Sequence, residues 1–304
     1  MNTYRKTTVL ALDSRATFGH AVALKVIDRF DLDAEIRYES TNLKVCCSLT
    51  RGNGDIAIVP LENNSQSAGL VPDWLTWCEK ESSQEEPRCE IIGELVVSIS
   101  QCLMAKPGIE EKDIRRVLSH ERAIRQCKMV LSELRAPITE VNSTGEAARL
   151  VSLSSVEDGL AAIGPASGAS EFGLRVLRKS AEDSPGNVTR FGILRRKRID
   201  AFIRTSNVVL GNERKRVITR FALPNVEGAL HGVTEVLLKH KANMTSLQAL
   251  PQGVPFSYSY EFYLEFEIAH DMADDCIQAM KSVTEGLKIF GNFFIGEKKV
   301  QHLG

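Results

Sequence analysis

Thr189 and Arg190 lie between turn material, Ser184-Pro185-Gly186-Asn187, and the apolar run Phe191-Gly192-Ile193-Leu194. Proline fixes one φ, glycine frees the next, and Ser and Asn offer side-chain oxygens to the backbone. The apolar run has strand length. A hydroxyl can donate a hydrogen bond to a departing oxygen, and a guanidinium can pair with a carboxylate. The mouth of a buried strand is where α/β proteins place such groups. The competing account is an ordinary strand start, where β-branched Thr is at home.

Other polar clusters follow apolar strand runs in the same way. Asp13-Ser14-Arg15-Ala16-Thr17 follows Thr8–Leu12, and Leu61-Glu62-Asn63-Asn64-Ser65-Gln66-Ser67-Ala68-Gly69 follows Ile56–Pro60 as a dense polar loop. Ser119-His120 follows Arg116–Leu118, and Asn142-Ser143-Thr144 follows Ile138–Val141.

The elements that must position these tips are legible as periodicity. Phe18, Val22, Val26 and Phe30 share one helical face. Asn42–Leu49 and Pro72–Lys80 read as helices, Glu35–Ser40 as a strand, and Lys80–Pro87 as charged and exposed. Glu90–Ser100 reads as a strand crossing to a second unit. There, three strand–tip–helix units follow in succession, with helices Glu121–Leu134, Gly145–Leu153 and Pro165–Phe172 and a further strand Gly159–Gly164. That order predicts a doubly wound parallel sheet with a crevice at the strand tips. The chain returns over Arg175–Leu194, giving two lobes with a cleft between them.

Past a linker the pattern changes. Arg216–Leu223 alternates, Ala229–His240 is helical, Met244–Ala249 and Tyr258–Glu267 are strands joined through Pro251-Gln252-Gly253, Met272–Glu285 is a helix and Leu287–Phe290 a strand. The order β-α-β-β-α-β predicts a ferredoxin-like unit. The expected domains are therefore 1–196, two-lobed; 197–213, linker; and 214–304, the βαββαβ unit.

With 304 residues, 43% hydrophobic and 25% charged, the chain can bury a substantial core. Lys+Arg 38 against Asp+Glu 39 leaves a net charge of −1, which offers nothing to nucleic acid or an anionic membrane. No apolar stretch reaches spanning length, roughly 20 residues. The seven cysteines form no Cys-x-x-Cys pair or zinc pattern, so neither metal nor cofactor is expected; reduced thiols and a cytoplasmic setting are. Adjacent Cys46-Cys47 reads as helix packing, not redox chemistry. Gly52-Asn53-Gly54 lacks the third glycine and following helix of a dinucleotide fingerprint.

Taken together, these segments resemble the prephenate dehydratase family with a C-terminal ACT domain, over nearly the whole chain. Ile58-Val59-Pro60-Leu61-Glu62-Asn63 is similar to the family's V-P-I-E-N, and Asn187 with Thr189-Arg190-Phe191 matches N-x-T-R-F. Ser119-His120 with Gln126-Cys127, Ser143-Thr144 with Ala147-Ala148, and Thr17-Phe18 match parts of S-H-P-Q-x-x-x-Q-C, S-T-x-x-A-A and G-T-F-S. Gly228-Ala229-Leu230 and Leu287–Gly291 resemble the ACT marks G-A-L and L-K-x-L-G.

The resemblance implies a type II periplasmic-binding-protein-like catalytic domain and a lyase that takes prephenate to phenylpyruvate with loss of water and carbon dioxide, in phenylalanine biosynthesis. It assigns Thr189 as donor to the leaving hydroxyl, with Asn63, Ser119, Gln126, Ser143 and Thr144 as neutral donors. Thr17, Glu62, Asn187 and Phe191 complete the substrate site. Arg190 either clamps a substrate carboxylate or braces its loop through a salt bridge. An amino-acid effector is expected near Gly228, Ala229, Leu230, Asn243, Thr245 and Gln248, and a homo-oligomer, dimer or tetramer, through the ACT domain.

The chain departs from the pattern at Ala16 and Gly19, at Asn64–Gly69, at Glu121-Arg122 and at Gln248-Ala249-Leu250-Pro251, which stands where the family has E-S-R-P. These departures keep two alternatives open: a decarboxylase of a secondary pathway that leaves the ring non-aromatic, and a non-catalytic sensor of small carboxylates.

Overall fold

A computed structural model describes residues 6–64, 69–197, 213–251, 260–296 and 300–302. In the first lobe, β1 (Thr7–Leu12) is covered on both faces, so its Val9, Leu10 and Ala11 are all buried. The Thr17 hydroxyl caps α1 (Phe18–Arg29) by accepting from the His20 N–H at 3.3 Å. Next come β2 (Ala34–Glu39) and α2 (Asn42–Arg51). The strand β3 (Ile56–Asn63) lies parallel to β1 on the side opposite β2. It runs through Leu61-Glu62-Asn63, which the sequence assigned to a loop, because these residues find a pairing partner far along the chain. The short β4 (Gly69–Leu70) and α3 (Pro72–Ser82) lead into β5 (Cys89–Ser98). Within the stretch expected to be exposed, Glu81 is buried, since Arg88 Nη2 neutralises it at 2.7 Å.

The second lobe holds β6 (Cys102–Ala105), β7 (Arg116–Ser119), α4 (Glu121–Gln126), α5 (Lys128–Leu134), β8 (Ile138–Glu140), α6 (Thr144–Leu153), β9 (Leu160–Gly164), α7 (Ser167–Phe172) and β10 (Arg175–Arg178). Strands β8, β7 and β9 are parallel as expected, and β6 joins them antiparallel in the order β10-β6-β9-β7-β8. The helix expected over Glu121–Leu134 breaks at Cys127. There the Asp183 carboxylate accepts from the N–H groups of Lys128 and Met129 at 3.0 and 2.8 Å, capping a new helix start.

The chain returns to the first lobe as β11 (Val188–Arg196), antiparallel to both β3 and β5. The first-lobe order is β5-β11-β3-β1-β2, so two crossings, β5 to β6 and β10 to β11, join the lobes.

The C-terminal unit is β12 (Arg214–Ala222), α8 (Ala229–Lys239), β13 (Asn243–Pro251), β14 (Tyr260–Ala269), α9 (Ala273–Val283) and β15 (Glu285–Phe294), in the sheet order β13-β14-β12-β15 of a ferredoxin-like fold. Gly291 of β15 pairs with Ile91 of β5, which fuses this sheet to that of the first lobe. The closing strand β16 (Gln301–His302) also pairs with β5. One core spans the junction: Trp74 and Trp77 of α3 stack at 5.2 Å and meet the Phe290 ring edge-on at 6.2 and 5.7 Å, with Ile218 and Tyr263 in the same cluster. The expected linker lies almost wholly outside the described residues, as does the turn at Gln252-Gly253. Among the described residues no helix is long and apolar enough to cross a membrane.

Candidate active site

The parallel strands β1 and β3 end at one edge of the first-lobe sheet, and β11 begins there because it runs the other way. Register sets Thr189 opposite Asn63. Asn63 Nδ2 donates to Thr189 Oγ1 at 2.7 Å, to Asn187 Oδ1 at 3.0 Å and to the Val188 carbonyl at 3.2 Å. Three oxygens around one nitrogen fix the amide's orientation, since a flipped amide would oppose oxygen to oxygen. Asn64 completes the turn: its Oδ1 accepts from the Val188 N–H at 2.7 Å, and its Nδ2 donates to the Gly186 carbonyl at 2.9 Å.

Thr189 is 7% exposed. With one lone pair occupied by Asn63, its hydroxyl proton points elsewhere, and among the described residues no acceptor takes it. That is the state of a hydroxyl ready to donate to a bound molecule.

A second group joins the lobes across the cleft. Ser14 Oγ meets Ser143 Oγ at 3.3 Å, and Arg15 Nη1 pairs with Glu171 at 3.1 Å. Ser143 caps α6 by accepting from the Glu146 N–H at 3.0 Å, which places Thr144 at the first helical position. Thr17 Oγ1 donates to the Ser14 carbonyl at 3.0 Å. Asp13 holds a left-handed backbone at φ 79 and faces the second lobe. Burial pushes its carboxyl up, Ser143 and His120 pull it back, and Glu146 adds to the rise. A third group lies at the crossing, where Gln101 Nε2 donates to Gln126 Oε1 at 3.1 Å and the Glu182 carboxylate accepts from the Gln101 N–H at 2.7 Å.

Four expected site residues turn out differently. Ser119 is fully buried and its hydroxyl donates to the Ile163 carbonyl at 2.7 Å, within its own lobe. Phe191 is 5% exposed and packs in the first-lobe core beneath Thr189. Arg190 projects from the face opposite Thr189, as alternation on a strand requires. It spends its nitrogens on carboxylates: Nε on Glu62 at 3.0 Å, Nη1 on Glu94 at 3.1 Å and Nη2 on Glu265 at 2.8 Å. The salt-bridge alternative therefore describes Arg190, and Glu62 is one of its partners. Burial opposes the Arg190 charge, but Glu265 and Glu94 outweigh it and push its pKa up. Arg216 extends the cluster, with Nε on Glu94 at 3.1 Å, Nη1 on Thr245 at 3.1 Å and on Glu265 at 3.3 Å, and Nη2 on Glu267 at 2.9 Å.

Sequence reasoning missed Glu94, Arg216 and Glu265. The available signal was a carboxylate inside an otherwise apolar strand, which demands a buried partner. Gln101, buried with an Oε1 that finds no partner among the described residues, was missed too.

Fold and site define a two-lobed α/β protein of the type II periplasmic-binding-protein-like class, with a C-terminal βαββαβ domain. A family model described as prephenate dehydratase matches residues 9–199, and the chain belongs to that family. Arogenate dehydratase 2 of Petunia hybrida is 28% identical over 225 residues, covering 68% of this chain and 54% of that protein. The chain thus spans about half the length of the curated relatives first matched. The prephenate dehydratase of Methanocaldococcus jannaschii is 25% identical over 281 residues, covering 92% of this chain and 95% of that protein. Two solved structures share the fold. The prephenate dehydratase of Arthrobacter aurescens in complex with L-Phe has a TM-score of 0.75 at 24% identity, covering 97% of this chain and 92% of its own. A protein described as GqqA, a novel type of quorum quenching acylase, has a TM-score of 0.75 at 21% identity, covering 95% and 98%.

Proposed function

We propose that this chain is a prephenate dehydratase-type lyase. The substrate's ring hydroxyl leaves with its bonding pair and becomes water on taking a proton. The carboxylate departs as carbon dioxide, and its bonding pair enters the ring, which becomes aromatic. The observation that carries the reading is the Thr189 hydroxyl, held by Asn63 at 2.7 Å with its proton uncommitted. A threonine is a poor acid in water, so its help lies in position: it stabilises charge as that charge develops on the leaving oxygen. The ordered amide pair Asn63–Asn187 keeps that donor from rotating away.

Thr189→Ala should lower kcat by about 10²–10³-fold with the fold intact. Product absorbance of the aromatic keto acid and carbon dioxide release, followed together, read the chemistry. Near-normal turnover by this variant removes Thr189 from the mechanism. Carbon dioxide without an aromatic product assigns the decarboxylase instead, and tight binding without turnover assigns a sensor.

The same reading extends to the C-terminal domain as an ACT-type regulatory and dimerisation module in a cytoplasmic enzyme. Gly228, Ala229 and Leu230 open α8, while Asn243, Thr245 and Gln248 lie on the edge strand β13, where Met244 and Leu247 are exposed apolar side chains. An amino-acid effector and a second copy of the chain are the partners proposed for that edge.

A further inference from the structure

We infer that Glu265, on the C-terminal domain, is a positioning residue for Thr189, acting through Arg190. The inference rests on the dehydratase reading for its activity readout.

Backbone pairing holds Thr189 regularly on one side only: toward β5 the register runs unbroken from Val188 opposite Ser98 to Ile193 opposite Gly93. On the β3 side the ladder slips immediately after it: Arg190 pairs with Glu62, but Phe191 pairs with Pro60, so Leu61 is an extra residue. A bulge of this kind removes ladder hydrogen bonds and lets the strand bend, and Pro60 has no N–H to offer. Thr189 is therefore paired regularly toward β5 but beside a slip toward β3, where side chains on both faces supplement the ladder. On the cleft face the anchor is Asn63. On the other face it is Arg190, the next residue along, whose Nη2 reaches Glu265 at 2.8 Å.

Glu265 is 1% exposed and, besides Arg190, is itself set from two directions. Tyr263 donates its hydroxyl at 2.5 Å, Arg216 Nη1 lies at 3.3 Å, and Tyr263 in turn accepts from Trp74 Nε1 at 3.1 Å. A continuous chain of contacts thus runs from α3 through the C-terminal sheet to the strand that carries the hydroxyl. Charge-assisted pairs in a dry site are short and directional, so this chain transmits position well. Thr245 on the edge strand joins it through Arg216 at 3.1 Å.

The test compares three variants in the full chain. Glu265→Gln keeps the shape and removes one of the three charges that hold Arg190, the one from the C-terminal domain, and Tyr263→Phe removes one hydroxyl and no charge. Glu81→Gln is the control, since it cuts a carboxylate–arginine pair whose carboxylate is as buried as Glu265, Glu81–Arg88 at 2.7 Å, at the end of the β5–β11 ladder remote from Thr189. We expect kcat to fall about 10- to 100-fold in Glu265→Gln, as for a reacting group displaced by a fraction of an ångström, with KM changed less than about twofold. Tyr263→Phe should show a smaller loss of the same kind, and Glu81→Gln should lose thermal stability with kcat per folded molecule unchanged. Tryptophan emission reports the junction independently of turnover, because the two tryptophans of the chain both lie in α3.

Unchanged kcat in folded Glu265→Gln overturns the inference alone. So does an equal kcat loss in Glu81→Gln, which would mark a merely structural effect. If Glu265→Gln does not fold, unchanged kcat in Tyr263→Phe overturns it. Wild-type chain that turns over neither prephenate nor arogenate overturns the dehydratase reading and this inference with it.

Discussion

Asp13 is where a single side chain bears a cost at the cleft. It combines a left-handed backbone, φ 79, with a half-buried carboxyl. Only Gly, Asn and Asp adopt that backbone readily. Burial raises its folded pKa above the ordinary 3.8, so the folded state binds the proton more tightly than the unfolded chain does. Stability contributed by this site is thus highest in acid and declines as pH rises from about 3.8 through the folded pKa. Asn keeps the backbone and never ionises. Asp13→Asn should therefore melt above wild type at neutral pH, with the gap closing in acid, as calorimetry from pH 3 to pH 8 would record. A gap independent of pH would place its origin in the backbone alone.

Among elements, the start of α6 and the tip of β1 show how the lobes meet. A Cβ added at Gly145 would lie 2.1 Å from the Arg15 carbonyl oxygen and 2.7 Å from Ser14 Oγ. The nearer of these is backbone, so no rotamer change relieves the overlap and the lobes must part. Gly145→Ala should therefore lower kcat/KM, on the order of 10²-fold for a misplacement near 1 Å, and weaken the Ser14–Ser143 and Arg15–Glu171 contacts between the lobes. Unchanged kinetics would show that the lobes need not approach this closely.

The same scale shows what the sequence can and cannot reveal. Long periodic elements such as Phe18–Arg29 and the tip residues Thr189, Asn63 and Ser143 were legible because their signals are local: spacing, caps and turn chemistry. Strand β6 was not, because four apolar residues at a crossing carry no period. Nor was the break at Cys127, whose cause, Asp183, lies 55 residues beyond Lys128. Arg190 read equally well as clamp or brace because its three partners, Glu62, Glu94 and Glu265, lie 128, 96 and 75 residues away in sequence.

At the scale of the whole molecule, the C-terminal domain is built into the first lobe and not merely tethered to it. The two sheets are continuous through Gly291 and Ile91, and β16 pairs with β5 beyond them. Trp74 and Trp77, both at most 1% exposed, owe that burial in part to Ile218, Tyr263, Phe290 and Phe293. Removing the domain would strip the core from that face and take Glu265 from Arg190 and Arg216 from Glu94, leaving those two to pair with each other beside newly exposed tryptophans. Against a typical folding stability of about 5–15 kcal/mol, loss of that shared core exceeds what a two-lobed remnant can spare. A chain ending at residue 197 should accordingly be unfolded or aggregated, with tryptophan emission shifted to the red of the full chain. A soluble truncation with native emission and full turnover would show instead that the first lobe closes its own core, and that the junction is an attachment and not a foundation.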